Sequence, residues 1–151
     1  MSLDDWQPLI DIHLTGTFNT ITTAGSHMAR NDPDEDGERG VIVTTSSAAR
    51  TGMEGAAGYS AAKAGIVGLT STAAMDLAPL GIRCVSIAPG TFDTPMLAEV
   101  NDQSTSLHGQ VNAFPSRRGR PDEFAGLVEH IWENGYLNGV CLPLDGAIFG
   151  I

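Results

Sequence analysis

The chain has 151 residues, 42% of them hydrophobic, which suits one domain with a real core. Eighteen acidic residues against eight basic ones give a net charge of −10, which argues against nucleic acid or an anionic membrane as partner. The apolar runs are far shorter than a membrane span, and the N-terminus lacks a basic-then-apolar signal, so a soluble protein of the cytoplasm is expected.

Ser2 followed by Asp5 has the form of a capping arrangement, and Leu3, Trp6, Ile10, Leu14, Phe18 and Ile21 recur at helical spacing. The first element is therefore expected as one long amphipathic helix ending near Met28. Residues Asn31 to Arg39 combine Pro, Gly and six charges without periodicity and read as a solvated loop with no function. A Ca²⁺ site is the sharper alternative, but the acidic spacing matches no known loop. Val41 to Thr45 is a short run rich in β-branched residues, consistent with a buried parallel strand, and it ends on Ser46 and Ser47.

A helix is expected from about Gly58 to Leu77, closed by Pro79 and Gly81. It carries Tyr59 and Lys63 four residues apart, so both project from one face. A nearby ammonium favours the phenolate, which matters because an ordinary tyrosine, with a pKa of about 10, is a poor base. Lys63 is the only lysine in the chain, and chance would place it four after one of the two tyrosines on the order of 1 time in 75. A serine just upstream has a hydroxyl that can hold a substrate oxygen while the tyrosine exchanges a proton with it.

Beyond this helix, GIRCVSIAPG reads as a second buried strand ending in a Pro-Gly turn, and Thr94 to Phe114 as a mobile substrate loop. Pro121 to Asn134 reads as a helix with Phe124, Leu127, Val128 and Ile131 on one face. Arg117, Arg118 and Arg120 before it are candidates to attract an anionic substrate group, against the plainer reading of solvated surface charges. NGVCLPLDGA is a last strand, with Pro143 implying an edge. Cys84 and Cys141 fall inside strands, where a free cysteine packs as a small apolar residue.

The stretch SSAARTGMEGAAGYSAAKAGIVGLT resembles the catalytic segment of the short-chain dehydrogenase/reductase family, with its serine and Tyr-x-x-x-Lys. PSRRGRPDEFAGLVEHIWENGYLNGVCLPLDGAIFG resembles the C-terminal part of its 3-hydroxyacyl-CoA dehydrogenase type II-like subgroup. The resemblance implies an α/β fold, a partial Rossmann-like doubly wound parallel sheet of about three strands with flanking helices. It implies hydride transfer between NAD or NADP, with NAD favoured, and a small-molecule secondary alcohol or ketone, of 3-hydroxyacyl-CoA or hydroxysteroid type. Tyr59 would exchange the hydroxyl proton, Lys63 would assist it and touch the nicotinamide ribose, and a serine would orient the substrate oxygen.

Family spacing, thirteen residues before the tyrosine, selects Ser46, which is favoured; counting along the strand from Gly40 selects Ser47 with one deletion in the loop. His13 stands where the family has an asparagine that helps hold a relay water, so its catalytic part is open. Pro89, Gly90, Phe92 and Thr94 match the turn that packs beside the nicotinamide. No G-x-x-x-G-x-G follows a strand in this sequence, and the acidic residue that reads the adenine ribose and the Asn-Asn-Ala-Gly turn are also absent. The missing part is roughly 100 residues, which reads as a truncated gene product or a misplaced start. The Val41 strand then lacks its family neighbour and should lie at an edge. The rival reading is a homo-oligomerisation piece, because the helices over residues 3–28 and 58–77 match elements that pack on a second subunit.

Overall fold

The computed structural model describes residues 1–95 and 112–148; residues 96–111, most of the stretch expected as a substrate loop, lie outside them. The first helix starts as expected. Ser2 Oγ accepts the Asp5 N–H at 3.2 Å and the Asp5 carboxylate accepts the Ser2 N–H at 3.0 Å, which closes a capping box. Helix α1 spans Leu3–Leu9 and α2 spans Gly16–Met28, but Ile10–Thr15 between them is π-helical. The expected single helix therefore has the right ends and a wider turn in its middle. Pro8, with no N–H to donate, sits just before the widening, and the Gly16 N–H reaches back to the Asp11 carbonyl across five residues.

Strand β1 (Gly40–Thr45), β2 (Ile82–Pro89) and β3 (Cys141–Leu144) form a parallel sheet in the order β1-β2-β3, with Val43 opposite Val85 and Ile87 opposite Leu142. Both expected edges are observed in this sheet, β1 on one side and the Pro143-bearing β3 on the other. Strand β2 is buried from Ile82 to Ala88, as a strand covered on both faces should be.

Alternation along the strands separates two apolar clusters. Ile42, Ile82 and Cys84 face α2 and helix α3 (Ala57–Leu77), packing on Ile21, Ala73 and Ala74. Val41, Val43, Val85 and Ile87 face helix α4 (Pro121–Glu133), packing on Phe124, Leu127 and Ile131. Helices on both faces make the sheet doubly wound. Helix α3 ends in a 3₁₀ turn, Ala78–Leu80, and Gly81 takes φ of 68°, where a Cβ would run into the Gly37 carbonyl.

The loop over residues 31–39 is exposed from Asn31 to Gly37, as expected of a solvated loop, and it is also held by its own hydrogen bonds. Asp34 Oδ1 accepts the N–H groups of Asp36 and Glu38, and the Arg39 guanidinium donates to the carbonyls of Asn31 and Leu80. Glu38 is bound by both Nε and a terminal nitrogen of Arg83, at 2.7 and 2.8 Å. Arg83 is 6% exposed at the start of the central strand, and it also donates to the carbonyls of Ile131, Trp132, Asn134 and Leu137. It thus satisfies the C-terminal carbonyls of α4 while the loop supplies its counter-charge.

Candidate active site

Tyr59 and Lys63 share one face in the first turns of α3, with Lys63 Nζ 5.6 Å from the Tyr59 ring centroid. The amine does not point to solvent. It donates to the carbonyl of Thr45, the last residue of β1, at 2.9 Å, and burial lowers its pKa from the ordinary lysine value.

Two glycines bring the first helix close enough to complete the cluster. A Cβ at Gly58 would meet Leu9 Cδ1 at 2.9 Å, and one at Gly65 would meet the Leu14 side chain at 3.0 Å. The π-helical turn held there presents His13 edge-on to Tyr59, with ring centroids 5.3 Å apart and planes at 86°. Its carbonyl accepts the Thr17 hydroxyl at 2.6 Å. Partial burial, and then the charge of Lys63, hold His13 below its usual pKa. His13, Thr45 and Lys63 line a groove of about 460 Å³ that runs along the open edge of β1 past Ile42 and Thr44.

The two serines that end β1 have different surroundings. Ser46 is 1% exposed and its hydroxyl donates to the Lys63 carbonyl at 2.7 Å. Ser47 is half-buried, and its Oγ accepts the Ala49 N–H at 3.1 Å, capping the 3₁₀ turn Ala48–Thr51.

Pro89, Gly90, Phe92 and Thr94 all line one largely apolar cavity of about 360 Å³ after the end of β2. Pro121 and Phe124, which the sequence reading passed over, complete its wall from the start of α4. Phe92 meets Phe124 edge-to-face, centroids 6.0 Å apart, and a Cβ at Gly119 would strike its ring. Gly90 is equally constrained: a Cβ there would lie 2.8 Å from Asp145 Cα. The only local sign of Phe124 was its place on the apolar face of α4, which says nothing of a cavity.

The three arginines ahead of α4 are engaged with carboxylates. Arg117 makes two bonds to Glu123, at 2.8 and 2.7 Å, and with the Arg120 N–H this pulls the Glu123 carboxyl down to about 2. Arg120 lies within 3.5 Å of Asp122 and 3.3 Å of Glu123, and Arg118 within 3.8 Å of Asp93. An anion would have to compete with these partners, which weighs against the anion-attracting reading of the three arginines. Among the described residues no group of three or more His, Cys, Asp or Glu is placed to hold a metal, and no helix is long and apolar enough to cross a membrane.

A strand-end serine pair, a Tyr-x-x-x-Lys helix and a Pro-Gly turn, set on parallel strands with helices on both faces, are the features of a Rossmann-like fold of the short-chain dehydrogenase class. The chain belongs to the short chain dehydrogenase family, whose model matches residues 1–105. It is 49% identical over 148 residues to the 3-hydroxyacyl-CoA dehydrogenase type-2 of Bos taurus, covering 97% of this chain and 57% of that protein. The crystal structure of 3-hydroxyacyl-CoA dehydrogenase type-2 from Mycobacterium avium superposes with a TM-score of 0.93 at 40% identity, over 99% of this chain and 58% of that one. A 3-oxoacyl-(acyl-carrier protein) reductase from Brucella melitensis, solved with bound NAD, gives 0.83 at 29% identity, over 100% of this chain and 54% of that one. The chain thus spans little more than half the length of these relatives.

Proposed function

We propose that this chain carries the proton-transfer and substrate-orienting part of an NAD(P)-dependent dehydrogenase acting on a secondary alcohol or ketone of 3-hydroxyacyl thioester or hydroxysteroid type. The observation that carries the reading is the Tyr59–Lys63 pair, with its amine tied to the end of β1. In the reduction direction the Tyr59 hydroxyl gives its proton to the substrate oxygen; in oxidation the phenolate takes it back. The Lys63 ammonium favours that phenolate, and a hydroxyl of the serine pair holds the oxygen in place. His13, in contact with Tyr59 and open to the groove, passes the proton on to water.

The cavity lined by Pro89, Gly90, Phe92 and Thr94 would hold the nicotinamide ring, with Thr94 and the turn backbone available to its amide, and Lys63, which lines the separate groove along β1, would touch the ribose. When bound, the dinucleotide supplies the hydride. The chain carries no Gly-rich strand-turn-helix for the pyrophosphate, so binding by this chain alone should be weak.

The test is reduction of acetoacetyl-CoA with NADH or NADPH by the chain alone and by the chain joined to the N-terminal dinucleotide-binding segment of a relative. Turnover only in the joined protein supports the reading. A folded joined protein that binds NADH yet turns nothing over would refute it.

A second reading, an association module, is favoured by the open β1 edge and by Leu3, Ile12, Phe18 and Met75, which are at least half exposed on α1, the π turn, α2 and α3. Light scattering decides it: the reading requires a concentration-dependent oligomer, and a monodisperse monomer would contradict it.

A further inference from the structure

The end of β1 meets α3 through three successive polar contacts. Thr44 Oγ1 lies 2.9 Å from Thr70 Oγ1, the Thr45 carbonyl accepts Lys63 Nζ, and Ser46 Oγ donates to the Lys63 carbonyl. Both ends of one lysine are therefore tied to neighbouring residues of one strand end. Strand parity explains the arrangement: Ile42, Thr44 and Ser46 alternate onto the side that α3 covers. Ser46 is further pinned by its own N–H, which donates to the Ile87 carbonyl at 2.7 Å and continues the β1–β2 ladder.

The protons distinguish the two serines. A hydroxyl has one hydrogen to give, and a carbonyl can only accept, so the Ser46 hydrogen is committed to Lys63. Ser47 uses a lone pair toward the Ala49 N–H and keeps its own hydrogen for another acceptor. A substrate carbonyl oxygen needs a donor.

We propose that Ser46 is a positioning residue that acts through Lys63, its hydroxyl setting where the lysine backbone lies so that the amine reaches Thr45. Its bearing on catalysis rests on the dehydrogenase reading given above, but the Ser46–Lys63 coupling is testable without dinucleotide or turnover.

Because Lys63 is the only lysine, a ¹³Cε-lysine label gives one side-chain NMR signal, and its titration reads the surroundings of that amine directly. The titratable neighbours are Tyr59 on its own helix and His13 across the groove. Strand β1 brings no charge, and the Arg50 guanidinium on the following turn donates to the Ser47 carbonyl at 3.1 Å.

In the folded 151-residue chain, Ser46→Ala should move the Lys63 midpoint by about 0.5 in pH toward the ordinary lysine value, as the amine loosens into water. Ser46→Thr, which keeps the hydroxyl, should restore it, and Ser47→Ala should leave it in place. If Ser46→Ala does not fold, Ser46→Cys, close in size and a weak donor, must show the same displacement. An unmoved midpoint in the folded Ser46 variant, or an equal displacement in Ser47→Ala, overturns the proposal. Loss of turnover in a joined protein without these titration effects would bear on the reaction alone.

Discussion

Lys63 Nζ donates to the carbonyl of Thr45 across 2.9 Å, so the only lysine of the chain links the Tyr59 face of α3 to the end of β1. One turn earlier on the same face, Tyr59 lies near this amine and meets the His13 ring. His13 and Lys63 line one groove, and the Tyr59 ring lies against both.

Removing the Tyr59 hydroxyl should abolish proton transfer and spare the fold, because the ring still packs against His13. In the chain joined to a dinucleotide-binding segment, Tyr59→Phe is expected to cut turnover by about 10²–10⁴-fold with an unchanged circular dichroism spectrum. Retention of more than about a tenth of the rate would contradict the general-acid role.

His13 should titrate below the ordinary histidine value of 6.5, first because it is partly buried and then because Lys63 repels its proton. The sign for stability follows: the unfolded chain takes up this proton first, so native stability falls as pH drops below 6.5. Lys63→Met should raise the midpoint of His13, measured by ring-proton NMR, without restoring the ordinary value. A midpoint unmoved by Lys63→Met would show that the two groups do not interact. In the joined protein, His13→Ala should lower turnover across about pH 6 to 9, and an unchanged or higher rate would remove His13 from the proton path.

Arg83 serves Glu38 and four carbonyls from a nearly buried position, so its loss leaves several groups unpaired at once. Arg83→Met is expected to cost about 3–5 kcal/mol in urea denaturation, and more than Glu38→Ala, which leaves the arginine its carbonyls. Equal costs for the two variants would mean that the carbonyl bonds contribute nothing.

Burial pushes the Cys84 thiol up to about 11 from 9.0, with a hydrogen bond to Thr70 opposing the shift. The fold favours the neutral thiol, so its contribution is complete below 9.0 and is lost as pH rises through about 11. Across that window stability should fall by on the order of 2–3 kcal/mol more in the parent chain than in Cys84→Ala, compared by urea denaturation. Parallel stability curves for the two proteins would place the native thiol near its ordinary value.

What could be read from the sequence was what depends on neighbours along the chain. The Tyr59–Lys63 pairing follows from helical spacing, the three strands from short β-branched runs, the edge position of β3 from Pro143, and the Ser2–Asp5 cap from a three-residue offset. The tertiary structure decided whatever depends on which groups lie opposite one another. Counting back from Tyr59 picks out Ser46 but says nothing of its partner; that its hydroxyl donates to the Lys63 carbonyl follows from strand parity, because a one-residue step along a strand exchanges its faces. The charges of residues 31–37 are exposed as read, but that Glu38 would pair with Arg83 was decided only by the start of β2. Pro121 and Phe124 joined the cavity of Gly90 and Thr94 only because α4 covers the sheet face that ends there. The π turn that aims His13 at Tyr59 depends on two glycines of α3 about fifty residues away, and no local periodicity encodes a contact of that range.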